Sequence, residues 1–418
     1  MTTTATRTAL AELLAPVPVS EFLESHWERA ALHTGAPDPD RFTSLVSVED
    51  LDHLLTVVHA AGLGNPDAVR VSRGGDPVPP REWLRERPDG HHELDVRRVL
   101  SLHRHGATVV LNGIQRSVAP IDRLCGELSA FFGVQVLANA YLTPAGGQGF
   151  PPHPDNHDVL LLQLAGAKRW RLHGSPVPLT TTEPDRPHRP TEPPEQELVL
   201  RAGEVLYLPR GLVHAGVAIP GKASVHLTIG IHPYTWAQLL GDVVAELRED
   251  DVRFRRSVSP RLGAIEDGAE AALTELTAAL ADPERVRRIR LARAARALEP
   301  GRTGQQGRLA ELLRPTPVAD TTPVRPTEPG PTLRPVPGSV VLATVERELT
   351  FPDYVEPALA ALLDGTAPCA AALAELLDPP GRLTLVRRLV REGVLEVCGR
   401  PTPSAASGLP GQPVSKPL

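Results

Sequence analysis

The segment from Gln148 to Trp170, QGFPPHPDNHDVLLLQLAGAKRW, opens with His153-Pro154-Asp155, a His-x-Asp pair. On a strand, residues two apart point to one face, so an imidazole and a carboxylate at this spacing can converge on one point. A third candidate, His214, follows a Pro-Arg-Gly turn in LYLPRGLVHAGV. Two imidazoles and one carboxylate, with no cysteine, suit a divalent iron centre that keeps positions open for substrate and oxygen. A structural zinc site would want four ligands, usually with thiolates among them. The alternative is two surface residues beside a proline turn; the β-rich context and the downstream Gly-x-x-His favour the metal. His157 shares the parity of His153 and Asp155 and competes with them as a ligand. The other reading has Asn156-His157-Asp158 ending a turn and starting a strand, with His157 as a pocket wall. His226 and His232, on later runs, read as core or pocket histidines.

These residues must be carried by strands. QVLANAYLT, HDVLLLQLAG, AKRWRLHG, ELVLRAGEVLYLP and SVHLTIGIHP are short β-rich runs separated by Gly and Pro, the spacing of a sandwich or barrel. Upstream, helices and strands mix. SVEDLDHLLTVVHAAG predicts a helix with a capping start at Ser47 and Asp50 that ends at Gly62. ATVVLNGI predicts a strand, and APIDRLCGELSAFFG a helix over 119–133 closed by Gly133. Helical patterning returns from Trp236 to about Glu299. Its Arg285–Arg296 run, interleaved with Val286, Ile289, Leu291 and Ala292, reads as the solvated face of a packed helix. Residues 339–399 read as a small unit with helices near 355–364, 370–377 and 381–392, followed by VLEVCG.

Composition bounds the rest. A chain of 418 residues allows two to four domains at ~100–200 residues each. Apolar residues at 41% and charged ones at 22% are ordinary for a globular protein, and aromatics at 4% leave the core to Leu, Val and Ala. No apolar run approaches the ~20 residues that span a bilayer, and MTTTATRTALAELLAP lacks the pattern of a secretion signal. Cys125, Cys369 and Cys398 are widely spaced and odd in number, against a disulfide framework or a cysteine zinc site. The expected location is the cytoplasm. A net charge of −6 argues against nucleic acid as a partner of the whole chain. The 45 prolines are clumped at 176–194, 315–337 and from Pro401 onward; these clumps read as a loop, an interdomain linker and a disordered tail. His-Glu-x-x-His, Gly-x-Ser-x-Gly and a phosphate loop are absent, and Gly146-Gly147-Gln148-Gly149 reads as a turn into the ligand segment. Among 44 basic residues only Lys168, Lys222 and Lys416 are lysine.

The string NAYLTPAGGQGFPPHPDNHDVLLLQLAGAKRWRLH, followed by GEVLYLPRGLVHAGV, resembles the JmjC/cupin-type ribosomal oxygenases, Fe(II)- and 2-oxoglutarate-dependent protein hydroxylases of bacteria and eukaryotes. The resemblance covers most of residues 20–399. It implies an α+β protein with a double-stranded β-helix (cupin/JmjC) catalytic core, a helical dimerisation region and a C-terminal winged-helix-like domain. On this chain the catalytic domain would span 1–235, with its β core at about 135–232 and a Pro-rich insert at 176–194 that could shape the active-site rim. The helical region would span 236–310, the linker 311–338, the winged-helix-like domain 339–400 and the tail 401–418.

The resemblance places the metal triad on His153, Asp155 and His214. It places the basic residue that grips the distal carboxylate of 2-oxoglutarate on Lys168, and pocket-lining positions on Asn139 and Tyr141. A walled-in carboxylate must be met by a cation and hydrogen bonds, and a lysine kept in an arginine-rich chain suits a pocket shaped for a point charge. The chain departs from the pattern at Gly230, where relatives often have serine; the expected result is a lost hydrogen bond or room for water. The implied reaction consumes 2-oxoglutarate and molecular oxygen and hydroxylates a protein or peptide side chain. The substrate is a ribosomal protein at Arg or His, or a biosynthetic precursor peptide, and the protein is a homodimer. The rival is a non-catalytic cupin/winged-helix adaptor for nucleic acid or protein, in which Arg382, Arg387, Arg388 and Arg391 of RLTLVRRLVREG would make the contacts.

Overall fold

The computed structural model describes residues 4–35, 38–58, 68–88, 92–182, 192–257, 268–297, 317–326, 332–343 and 348–398. The chain divides into two compact units, residues 1–305 and 306–418. Residues 183–191 of the proline-rich insert and all of the tail from Pro401 lie outside the described residues.

The first unit mixes helices with a large antiparallel sheet. Its strands are β1 (Leu32–Thr34), β2 (Val69–Arg73), β3 (Asp76–Pro77), a separate hairpin of β4 (Leu84–Glu86) and β5 (His92–Leu94), then β6 (Thr108–Leu111) and β7 (Val136–Thr143). There follow β8 (Asp158–Leu172), β9 (Gln196–Arg201), β10 (Val205–Leu208), β11 (His214–Ala218) and β12 (Ser224–Ile231). The main order is β1-β10-β8-β12-β7-β6-β2-β3, with β9 and β11 also pairing with β8.

Strand β8 organises the unit. Its first half lies between β10 and β12 and its second half between β9 and β11. The sequence reads as two strands broken at Gly166, and this is corrected: one strand runs through. Gly166 has φ +68°, and a Cβ there would stand 1.7 Å from the Ala223 carbonyl oxygen. A bulge in the β12 pairing falls beside it, between Val225 and His226. Glycine here admits a close backbone approach rather than a break. Leu160 and Leu162 join Leu10, Phe22, Ile121, Leu128 and Ile229 in the main core. Val159 and Leu161 face the other way, into a cluster with Trp170, Leu172, Leu200 and Leu206. Both faces are buried, which is why β8 begins as an unbroken apolar run.

Helices α1 (Thr4–Leu14), α2 (Val19–Glu21), α3 (Val48–His53), α4 (Val96–Arg104) and α5 (Ala119–Phe132) belong to the same unit. The capping box of Ser47 and Asp50 starts α3, which passes into a π turn over Leu54–Val58; the expected end at Gly62 lies outside the described residues. Gly133 closes α5 with φ +69°. After the sheet, α6 (Trp236–Asp250), α7 (Gly268–Ala281) and α8 (Pro283–Ala297) pack through Leu239, Val243, Leu247, Ala279 and Ile289. On α8, Arg287 and Arg288 are exposed and pair with Glu284 and Glu246, and the half-buried Arg285 also pairs with Glu246.

The second unit has a three-stranded sheet of β14 (Thr332–Val336), β15 (Ser339–Ala343) and β16 (Glu348–Pro352), and a pair of β13 (Val324–Pro326) with β17 (Leu395–Val397). Helices α9 (Glu356–Leu363) and α10 (Pro379–Glu392) complete its core through Leu359, Leu362, Val386 and Leu389. Two expectations are corrected. The stretch 311–338, read as a linker, contains β13 and β14, because proline is tolerated on strands with a partner on one side only. The helix expected at 370–377 is a single 3-10 turn, Ala370–Leu373.

Candidate active site

His153, Asp155 and His214 come together. Their ligand atoms lie within 4.8 Å of one another, the one such group among the described residues. Nε2 of His153 is 3.8 Å from one Asp155 oxygen, and Nε2 of His214 is 3.5 Å from the other. The His-x-Asp pair does not sit on a strand as its spacing suggests. It lies in the loop before β8, where His153 forms an isolated bridge with His214 at the start of β11. The two backbones exchange hydrogen bonds of 3.1 and 3.0 Å.

Each imidazole is oriented by a carbonyl two residues back. Nδ1 of His153 lies 2.8 Å from Pro151 O, and Nδ1 of His214 lies 3.0 Å from Leu212 O. A carbonyl only accepts, so each Nδ1 carries the proton and each Nε2 presents a lone pair to the shared point. Burial first, then the neighbouring His153, pushes the His214 imidazole down to about 4, so it stays neutral. Burial opposes the charge on Asp155, yet His214, His153, His157 and Arg70 together hold its carboxyl below the usual range. Two imidazoles and a carboxylate fit a divalent cation, with the remaining positions open.

Lys168 enters the same pocket from β8. It is 2% exposed, its Nζ donates to Thr143 Oγ1 at 3.3 Å, and it lies over the rings of Trp170 (5.3 Å) and Tyr141 (5.9 Å). Among the described residues no carboxylate ion-pairs with it, and burial lowers its pKa to about 7. An unpaired buried ammonium is costly, so this pocket is shaped for an anion. The neighbouring Arg169 and Arg171 alternate outward, to Glu197. Tyr141 lines the pocket, and burial raises its hydroxyl to about 12. Asn139, on the same face of β7, accepts a 2.9 Å hydrogen bond from the Gly113 N–H.

Sequence reasoning passed over Gly216 and Trp170 in the pocket, whereas His226 stands where a core or pocket histidine was expected. A Cβ at Gly216 would stand 2.8 Å from Lys168 Cε and 3.0 Å from Trp170, so this glycine makes room for the lysine stem. His226 is buried, stacks on Tyr141 at 4.8 Å, and its Nδ1 has no hydrogen-bond partner among the described residues. The Trp170 Nε1 is likewise buried without a partner. The signal for Gly216 was a glycine two residues after His214. At Gly230 the expectation is corrected: the His157 ring fills the space, and a Cβ would meet it at 2.7 Å. His157 stacks on His232 at 4.7 Å and lies outside the group of three. A second, open depression beside Asn156 is lined by Gln135, Thr181, His232, Tyr234, Gln238 and Arg293.

Residues 112–239 match the family profile of the JmjC domain. The chain is similar to ribosomal oxygenase 2 of Rattus norvegicus, 33% identical over 262 residues, covering 60% of this chain and 54% of that protein. It is also similar to the bifunctional lysine-specific demethylase and histidyl-hydroxylase NO66 of Drosophila mojavensis, 30% identical over 251 residues, covering 59% of this chain and 27% of that protein. The chain thus matches about half the length, or less, of these curated relatives. Its fold is similar to that of the Escherichia coli ribosomal oxygenase YcfD in complex with cobalt and 2-oxoglutarate, with TM-score 0.51 at 17% identity over 92% of this chain and 99% of that one.

Proposed function

We propose that this chain, which carries a JmjC domain, is an Fe(II)- and 2-oxoglutarate-dependent dioxygenase that hydroxylates a side chain of a protein or peptide. One observation carries the reading: a His-Asp-His group and a buried lysine without a carboxylate partner face a single pocket. In it, His153, Asp155 and His214 hold the metal, and Lys168 pairs with the distal carboxylate of 2-oxoglutarate. Tyr141 walls the cosubstrate pocket, and Asn139 supports it from β7. The names of the relatives and the cobalt and 2-oxoglutarate complex of YcfD support the same reading.

Iron, when bound, supplies the chemistry in which 2-oxoglutarate and O2 are consumed and a carbon–hydrogen bond is hydroxylated. The chain's own residues do the positioning. The carbonyls of Pro151 and Leu212 hold both imidazoles in the tautomer that can bind metal. The ammonium of Lys168 fixes one end of the cosubstrate, and Leu161, Phe150 and Trp170 exclude water from the pocket. The depression beside Asn156 offers amide, hydroxyl and guanidinium groups to an extended polypeptide. By likeness to the ribosomal oxygenases, the substrate is a ribosomal protein hydroxylated at Arg or His; a biosynthetic precursor peptide would use the same machinery.

The test is succinate formation from 2-oxoglutarate by the purified protein. It is expected only with both Fe(II) and oxygen present, and +16 Da on a protein or peptide should follow. Metal- and oxygen-independent background would overturn the enzyme reading. The adaptor alternative is weakened by the engagement of three of its four arginines: Arg382 pairs with Asp320, Arg387 donates to Val318 O, and Arg388 lies over Phe351 at 4.6 Å. A salt-dependent gel shift with unspecific DNA would favour the adaptor.

The proposed organisation is a double-stranded β-helix core within residues 1–235, a dimerising helical region at 236–310 and a winged-helix-like unit that takes in β13 and β14 together with residues 339–400, in a cytoplasmic protein. No helix among the described residues is long and apolar enough to cross a membrane. Leu240, Val244, Leu273 and Leu291, on α6, α7 and α8, are exposed, with Leu273 at 63% and Leu291 at 58%. These apolar groups support pairing with a second copy. Light scattering at micromolar concentration is expected to give a dimer, and Leu273→Glu with Leu291→Glu a monomer. A fully active wild-type monomer would overturn this.

A further inference from the structure

Asp158 is fully buried at the first residue of β8, three positions after Asp155 and five after His153. Arg210 is 5% exposed in the turn four positions before His214. Nη1 of Arg210 donates to Asp158 Oδ2 at 2.8 Å and to Glu28 Oε1 at 2.5 Å. The Tyr207 hydroxyl donates to Asp158 Oδ1 at 2.7 Å, and the Glu28 N–H donates to that hydroxyl at 2.9 Å. Glu28 itself has φ +57°, an unfavourable conformation for this residue that its two contacts hold in place. Both oxygens of a buried carboxylate are therefore engaged, and a guanidinium joins two segments that are distant in sequence.

We infer that Asp158 and Arg210 form a positioning pair that sets the separation of the two loops carrying the proposed metal donors. The inference rests on the reading of His153, Asp155 and His214 as a metal triad. Among the described residues the two segments touch through a few backbone bonds: the exchange between His153 and His214, a 2.9 Å bond from Gly211 N–H to Asp155 O, and the Gln148–Val217 bridge with a 2.9 Å bond from Ala218 N–H to Gly147 O. The ion pair braces that contact from behind. A buried pair whose partner is removed leaves an uncompensated charge, so loss of either member should loosen both loops together. Both carboxylates meet one terminal nitrogen, Nη1, at the end of a guanidinium whose reach and shape a lysine ammonium does not reproduce. Donor atoms held within a few tenths of an ångström of their working positions need such support.

The test compares Asp158→Asn, which keeps the shape and removes the charge, with Arg210→Lys, which keeps the charge and replaces the guanidinium by an ammonium on a shorter reach. Leu128→Ala, a buried truncation on α5, serves as a control of comparable instability. Hydrogen exchange of the metal-free protein is read in peptides covering 150–158 and 209–216, and Mn(II) affinity is read by titration. Asp158→Asn is expected to exchange at least tenfold faster in both peptides and to bind Mn(II) at least tenfold more weakly. Arg210→Lys is expected to fall between it and wild type, and it carries the test if Asp158→Asn does not fold. Leu128→Ala should leave both readouts within twofold. Unchanged exchange in the folded variants, unchanged Mn(II) affinity despite faster exchange, or an equal effect of Leu128→Ala would overturn the positioning role. A wild-type protein that binds no Mn(II) would overturn the metal reading of the triad instead, and exchange would still decide whether the pair holds the loops.

Discussion

Alanine at His153, Asp155 or His214 is expected to take oxygen-dependent 2-oxoglutarate turnover to background while thermal unfolding stays cooperative. Each substitution removes one of only three protein donors gathered within 4.8 Å. Loss of a group that merely supports a donor costs ~10–100-fold in metal affinity or activity, and loss of the donor itself should cost more. The fold should survive, because the backbone bridge between His153 and His214 uses main-chain atoms that alanine retains. His157→Ala should keep the metal, since that ring packs on His232. Mn(II) titration followed by succinate measurement checks all four variants. Metal loss in His157→Ala with metal retained in His153→Ala would show that the triad is set on the wrong residues.

The second large effect concerns Lys168. In Lys168→Ala the distal carboxylate of 2-oxoglutarate would lie in a buried pocket with no cation. Breaking a buried pair costs ~3–5 kcal/mol, roughly two to four powers of ten in affinity at ~1.4 kcal/mol per decade. Lys168→Arg keeps the charge but is longer and forked, and Gly216 leaves no slack around the stem, so it should recover part of the loss. Metal affinity should stay near wild type in both. Affinity for 2-oxoglutarate, titrated with Mn(II) in place of iron and without oxygen, is the measurement. A change within about threefold for Lys168→Ala would remove this residue from the site.

The same lysine predicts a pH dependence. Burial lowers its pKa to about 7, so in the empty pocket it is cationic below that pH and neutral above it. An anionic ligand binds the cationic form, so above pH 7 binding must take up a proton. Affinity should therefore fall by up to about tenfold per pH unit between 7 and 9 in wild type. Lys168→Ala should show no such slope, and a flat wild-type profile would contradict the charge assignment.

The chemistry was legible in the chain because it is local. His153-Pro154-Asp155, the Gly-x-x-His ending at His214, and a rare lysine after an apolar run are patterns of residue type and short spacing. Helix boundaries were equally local: the Ser47–Asp50 box and Gly133 each act within a turn of backbone. Where the pattern misled, a distant partner had decided the outcome. Gly166 reads as a strand break, and only the Ala223 carbonyl packed against it shows why glycine is needed inside a continuous β8. Gly230 reads as a missing hydroxyl, yet its space belongs to the ring of His157, far away in sequence. Prolines at 326 and 335 read as linker because composition does not reveal that a strand has only one neighbour.

What the sequence determined alone was the set of reactive groups and the alternation that sends Lys168 inward while Arg169 and Arg171 turn outward to Glu197. Tertiary structure alone decided their surroundings. Among the described residues it left Lys168 without a carboxylate partner, put the His226 ring against Tyr141, and joined Asp158 to Arg210 across 52 residues. Burial and charge pairing depend on which segments meet, and contacts between residues so far apart leave no periodic trace in the chain.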